Sequence, residues 1–136
     1  MKRSSVLVLG LALLGCLGCQ SREAQDPVQS AAGEQGIEVL GVQLMADGDV
    51  ARLNYRVVDY EKAKRSLQGE VRLLLEGPER PLGILSAGRL GPLRQRPARA
   101  GRPQFMIFMN PGRNLRKGDR VILAIGDARI PGILVS

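Results

Sequence analysis

Residues 37–58 read IEVLGVQLMADGDVARLNYRVV. In the second half Ala51, Leu53, Tyr55 and Val57 fall on one phase and Arg52, Asn54 and Arg56 on the other. A period of two with one apolar face marks a half-buried antiparallel strand. The first half, 37–45, is rich in β-branched and aliphatic residues, but its apolar phase changes near Gly41. An extra residue in a β-bulge would produce that change. Asp47-Gly48 stands between the halves, and this pair adopts positive φ at little cost, so a tight hairpin turn is predicted.

The strands continue downstream. Asp59 is placed to cap a short helical turn over 60–67, ended near Gly69. Val71, Leu73 and Leu75 alternate with Arg72 and Glu76 as a third strand, stopped by Gly77-Pro78. A short fourth strand is expected over 82–85. Residues 104–109, QFMIFM, are apolar on both faces and predict a central strand, ended by Asn110-Pro111-Gly112. After the turn at Lys117-Gly118-Asp119, segments 120–125 (RVILAI) and 128–135 (ARIPGILV) complete the set, with Pro131 marking the last as an edge or bulged strand. About seven short strands with turns every ten or so residues predict an all-β fold, a single immunoglobulin-like β-sandwich over 37–136. The chain has no Trp and its two cysteines are Cys16 and Cys19, so an antibody-type Cys–Trp–Cys core is not implied.

The N-terminus reads as an address. Lys2 and Arg3 precede the apolar run 6–14, nine residues interrupted only by Gly10, which is a secretory signal in order and charge. The run is far short of the roughly 20 apolar residues of a membrane span. Its end resembles the lipobox of bacterial lipoproteins. Leu13-Leu14-Gly15-Cys16 carries an aliphatic residue three before the cysteine and Gly directly before it. Cys16 is thus the expected lipid-attachment residue, with Cys19, preceded by Cys16-Leu17-Gly18, as the alternative. The resemblance implies a signal and attachment region over 1–19 and a protein held in the cell envelope, at the outer membrane facing the periplasm in a Gram-negative cell. Residues 20–36, polar and without apolar periodicity, are expected to form a flexible linker.

Composition narrows the chemistry. No histidine is present, which removes the commonest general base, metal ligand and triad partner together. No cysteine follows Cys19, so a disulfide within the domain and a thiolate metal site are excluded there. Met106 and Met109 are three apart, and on a strand that spacing points to opposite faces rather than to a thioether copper site. Asp47 and Asp49 flank Gly48 without the six or more oxygen ligands that calcium takes. Neither an enzyme activity nor a metal or cofactor is expected.

Charge carries the one positive signal. The chain holds 20 basic and 13 acidic residues, a net +7, and loss of Lys2 and Arg3 with the signal leaves about +5. Residues 86–103, SAGRLGPLRQRPARAGRP, contain three prolines and the arginines Arg89, Arg94, Arg96, Arg99 and Arg102. No acidic residue lies between Glu79 and Asp119. A long exposed loop is predicted, whose guanidinium forks suit phosphate or carboxylate. The exported location points to an envelope protein or to anionic lipid or polysaccharide. Nucleic acid is not expected, since the four aromatics, Tyr55, Tyr60, Phe105 and Phe108, are too few to spare for base stacking.

The order of Arg56-Val57-Val58-Asp59, Glu61-Lys62-Ala63, Gly91-Pro92-Leu93-Arg94-Gln95, Asn110-Pro111-Gly112 and Val121 through Asp127 with Arg129 resembles a set of uncharacterised exported bacterial proteins. The resemblance spans roughly 37–135 and implies no activity and no site residues. The expected function is a non-enzymatic, lipid-anchored binding or interaction module. A small-ligand or metal carrier with a cleft in the sandwich is the alternative.

Overall fold

The computed structural model describes residues 26–78, 80–84, 86, 89, 92–98 and 101–136. Cys16, Cys19 and Arg99 lie outside the described residues. The fold is an all-β sandwich of two antiparallel sheets. One sheet orders β1 (Ile37–Met45), β2 (Val50–Val57) and β5 (Pro103–Met109) as β1-β2-β5. The other orders β3 (Val71–Leu75), β4 (Pro81–Leu82), β6 (Arg120–Ile125) and β7 (Ala128–Leu134) as β4-β3-β6-β7. The chain thus crosses between sheets after β2, β4 and β5, in the manner of immunoglobulin-like sandwiches, with the fourth strand beside the third.

Alternation builds the core. Leu53, Tyr55 and Val57 of β2 meet Leu73, Leu123 and Ile130 of the opposite sheet within one buried cluster. In β1 the pairing passes from Val39↔Tyr55 to Gly41↔Asn54. Leu40 is therefore the extra residue of a bulge, 41% exposed, and beyond it the inward phase resumes at Val42, which is fully buried. The bulge expected near Gly41 is present for the expected reason. The hairpin turn is longer than predicted: Met45 pairs with Val50, so four residues, 46–49, connect the strands. Ala46, Asp47 and Gly48 all have positive φ, at 50°, 54° and 94°.

The linker expectation for 20–36 is corrected at its C-terminal half. Pro27–Glu34 form a helix, α1, with Pro27 in its first turn and the Asp26 carboxylate accepting from the Val28 N–H at 3.0 Å. Ala32 is fully buried, and Val28 and Ala31 pack against the core. The Gln29 side chain donates to the Val39 carbonyl at 2.7 Å and accepts from the Val39 N–H at 3.0 Å, as a neighbouring strand would. Further along the same edge the Leu44 N–H reaches the Ser136 carbonyl and the Ser136 N–H reaches the Val42 carbonyl. One side-chain amide and the C-terminal residues therefore close an edge that would otherwise be open to strand addition. The polar composition of 27–34 hid a helix whose few apolar positions are small.

Candidate functional site: a cationic cleft between a helix and an edge segment

The second helix, α2 (Tyr60–Ser66), begins where expected: the Asp59 carboxylate accepts from the Lys62 N–H at 3.1 Å. Ala63 is buried beneath the helix, as is Leu67 at its end. Tyr60 and Lys64, four apart, lie one turn along the same face, and the Lys64 ammonium sits 6.0 Å from the Tyr60 ring centre.

Opposite α2 runs the arginine-rich segment, and here the long exposed loop expected over 86–103 is corrected. Residues 92–98, called the strap below, lie along the outer edge of β5. The Ile107 N–H donates to the Leu93 carbonyl at 3.1 Å and the Gln95 N–H to the Phe105 carbonyl at 3.2 Å. Side chains complete the attachment. The Gln104 amide donates to the Arg96 carbonyl at 2.6 Å and accepts from the Ala98 N–H at 3.1 Å. The Tyr55 hydroxyl donates to the Gln95 carbonyl at 3.1 Å. Upstream, Ile84 bridges Phe108, and the Met109 N–H reaches the Gly83 carbonyl at 3.0 Å. Proline and glycine content suggested a free loop, yet the N–H groups that attach the strap belong to Gln95 and Ala98, so Pro92 and Pro97 remove none of these bonds.

The strap's pairing fixes where its cations point. Arg94 stands opposite Met106 in an antiparallel bridge, and side chains of directly opposed residues share a face. Met106 is fully buried, so Arg94 extends from the inward face of the strap, at the margin of the sandwich. Arg94 and Arg96, two apart on an extended segment, both line a cleft of about 440 Å3 whose other wall is Tyr60, Lys64, Leu67 and Gln68. Gln95, Pro97 and Met106 complete it. Among the described residues the wall contains three cations and no carboxylate. Among the described residues none of Lys64, Arg94 and Arg96 forms a salt bridge; the pairs present are Arg56–Glu38, Arg72–Glu70 and Arg113–Asp49. Beneath the strap, burial pushes the Tyr55 phenol up to about 12, with the Arg94 charge acting in the opposite direction.

The structure thus divides the five expected contact residues. Arg94 and Arg96 are brought together in the cleft. Arg89 and Arg102 are exposed and do not line it, and Arg99 lies outside the described residues. Lys64, Tyr60 and Gln68 of the facing wall went unread in the sequence. The signal for them was the basic last turn of α2 together with two arginines at i and i+2 in a segment able to run as a strand.

A second cationic group, Arg113, Arg116 and Lys117, borders a shallow depression with Leu44, Asp47 and Leu115. It differs in kind, because carboxylates are part of it. The Arg113 Nε donates to the Asp49 carboxylate at 2.8 Å and holds its carboxyl below the usual range. Among the described residues no three Asp, Glu, His or Cys side chains gather as a metal site. On the outer face of the first sheet, Met109 is 44% exposed whereas Met106 is buried, so the two thioethers diverge as their spacing requires. No protein-family model, curated protein or solved structure matches the chain.

Proposed function

We propose that the chain is a lipid-anchored, non-enzymatic binding module of a bacterial cell envelope, whose sandwich presents the strap–α2 cleft to an anionic envelope component. The observation that carries the reading is the cleft wall itself, which among the described residues holds Lys64, Arg94 and Arg96 and no carboxylate. Three like charges around one cleft make it a favourable seat for an anionic ligand. Anchorage follows from the lipobox resemblance at Cys16, or Cys19. Two or three acyl chains, at about 0.8 kcal/mol per buried methylene, hold a protein to a bilayer durably. Ten residues lie between Cys16 and Pro27, where α1 begins, a reach of no more than roughly 40 Å at about 3.6 Å per residue. Screening beyond about 8 Å at physiological salt requires direct contact between the cations and their partner, and so short a connection keeps them near the bilayer surface.

The cleft volume supports a second reading, a carrier of a small anionic ligand, since about 440 Å3 falls within the roughly 300–1,000 Å3 of small-molecule sites. Two measurements test the proposal. Replacing both Cys16 and Cys19 with Ala removes the acyl label and membrane retention; unchanged membrane association refutes anchorage. Replacing Lys64, Arg94 and Arg96 with Gln abolishes low-salt retention on anionic vesicles or lipopolysaccharide beyond that of the lipid anchor; undiminished retention refutes the cleft. A small molecule carried through native mass spectrometry by the parent chain, and absent from the triple variant, selects the carrier reading.

A further inference from the structure

Cations line the cleft from both of its walls. Arg94 and Arg96 project from the strap on one side, Lys64 from α2 on the other, and the Tyr60 ring lies beside Lys64. A carboxylate offers two oxygens in one plane and is satisfied by a single guanidinium fork. Two forks plus an ammionium-type point charge exceed that need and match a tetrahedral oxyanion, which presents three terminal oxygens and up to two charges. Gln68 and Gln95 add amide groups to the wall, while Pro97 and the Tyr60 ring supply its apolar part above the buried Leu67 and Met106. That part has no use for a free inorganic ion and suits an organic substituent. From these observations we infer that the cleft is a site for an organic phosphate monoester, its phosphate between Arg94, Arg96 and Lys64 and its substituent against Pro97 and the Tyr60 ring. The inference rests on the cleft being the binding site, as in the reading above, and adds the class of ligand. The same chemistry is displayed by a lipid headgroup such as that of phosphatidic acid and by a soluble sugar or glycerol phosphate.

The absence of histidine gives this inference a clean signature. Among the described residues the titratable and charged groups that face the cleft are Tyr60 and Lys64 of α2 and Arg94 and Arg96 of the strap. A phosphate monoester, with its second pKa near about 6, gains its second charge between about pH 5.5 and 7.5, whereas a dicarboxylate completes its second ionisation in the lower part of that interval.

The test is calorimetric titration of the full chain in a non-ionic detergent at low salt with glycerol 3-phosphate and, separately, succinate. A parallel arm measures retention on phosphatidylcholine vesicles with and without phosphatidic acid. The expected result is glycerol 3-phosphate binding at least about tenfold tighter than succinate, strengthening from about pH 5.5 to 7.5 and lost on about the scale of one charge-assisted contact per replacement in R94Q, R96Q and K64Q. R113Q and R116Q, from the second cationic group, leave it unchanged. K64Q lies on the wall opposite the strap, so its effect does not depend on how the strap tolerates substitution. Preference for phosphatidic acid vesicles over the soluble ester identifies the lipid source, and the reverse identifies the soluble one. Equal binding of succinate, lost in the same variants, overturns the phosphate inference and leaves the anionic cleft standing. Absence of any binding that depends on Lys64, Arg94 or Arg96 overturns both.

Discussion

At Tyr55 a fully buried ring ends in a hydroxyl that donates to the Gln95 carbonyl of the strap, so one side chain belongs to the core and to the cleft at once. Its phenol ionises only when pushed to about 12, because burial penalises the phenolate. The folded pKa lies above the unfolded value near 10, so this contribution to stability is complete below about pH 10 and is lost as pH rises from about 10 towards 12. Y55F is expected to cost about 1 kcal/mol near neutrality through the lost hydrogen bond and to abolish the latest step in the ultraviolet titration of tyrosine. Its unfolding midpoint should fall less than that of the parent as pH passes 10 to 12, which thermal melts across that range will record. Asn110 is the second residue with consequences far from its own position. It is 1% exposed, donates to the Gly48 and Leu115 carbonyls at 2.7 and 2.9 Å and accepts from the Leu115 N–H at 3.0 Å. N110A leaves buried backbone groups without partners and is expected to destabilise the fold by about 2–4 kcal/mol in urea unfolding. A loss below about 1 kcal/mol would show that water satisfies these groups.

Among the elements, α1 is held where it is by geometry that only glycine permits at the helix exit. Gly36 has φ of +78°, and a Cβ there would lie 2.5 Å from the Asp59 carbonyl oxygen and 2.6 Å from the Ala63 nitrogen. The Gly36 carbonyl accepts from both Val58 and Asp59, tying α1 to the start of α2 and so to the cleft wall. G36A combines a strained φ with overlap against backbone and is expected to cost about 3 kcal/mol or more. Q29A, which removes only the clamp on Val39, should cost about 1–2 kcal/mol; equilibrium unfolding in urea ranks the two, and equal losses would contradict the close approach at Gly36. The strands themselves were legible because each carries a two-residue period or a wholly apolar run between turn residues, as with 50–57, 71–75 and 120–125. α1 was not, because Ala31 and Ala32 are small, Val28 stands alone, and the contacts that decide its docking come from Gln29, a residue with no apolar signature. The strap was misread for a related reason. Its prolines and arginines argue against a strand interior, and its attachment depends on Gln95, Gln104 and Tyr55, which no local pattern marks.

For the whole molecule, the two-sheet core leaves one margin where the strap and α2, rather than a second sheet face, enclose space. Part of the positive charge carried by residues 64–117 is gathered into two places of different character: a carboxylate-balanced group at Arg113 and an unbalanced one at Lys64, Arg94 and Arg96. The abundance of arginine was evident from the sequence, whereas this sorting depends on which strap residues share the face of Met106 and on a helix some 30 positions earlier. Titration of the isotope-labelled full chain in a non-ionic detergent with either an organic phosphate or a dicarboxylate, followed by backbone amide shifts, tests the central claim most directly. The account predicts that the shifts saturate and concentrate at 60–68, 94–96 and 106; shifts confined to 113–117, or none that saturate, would contradict it.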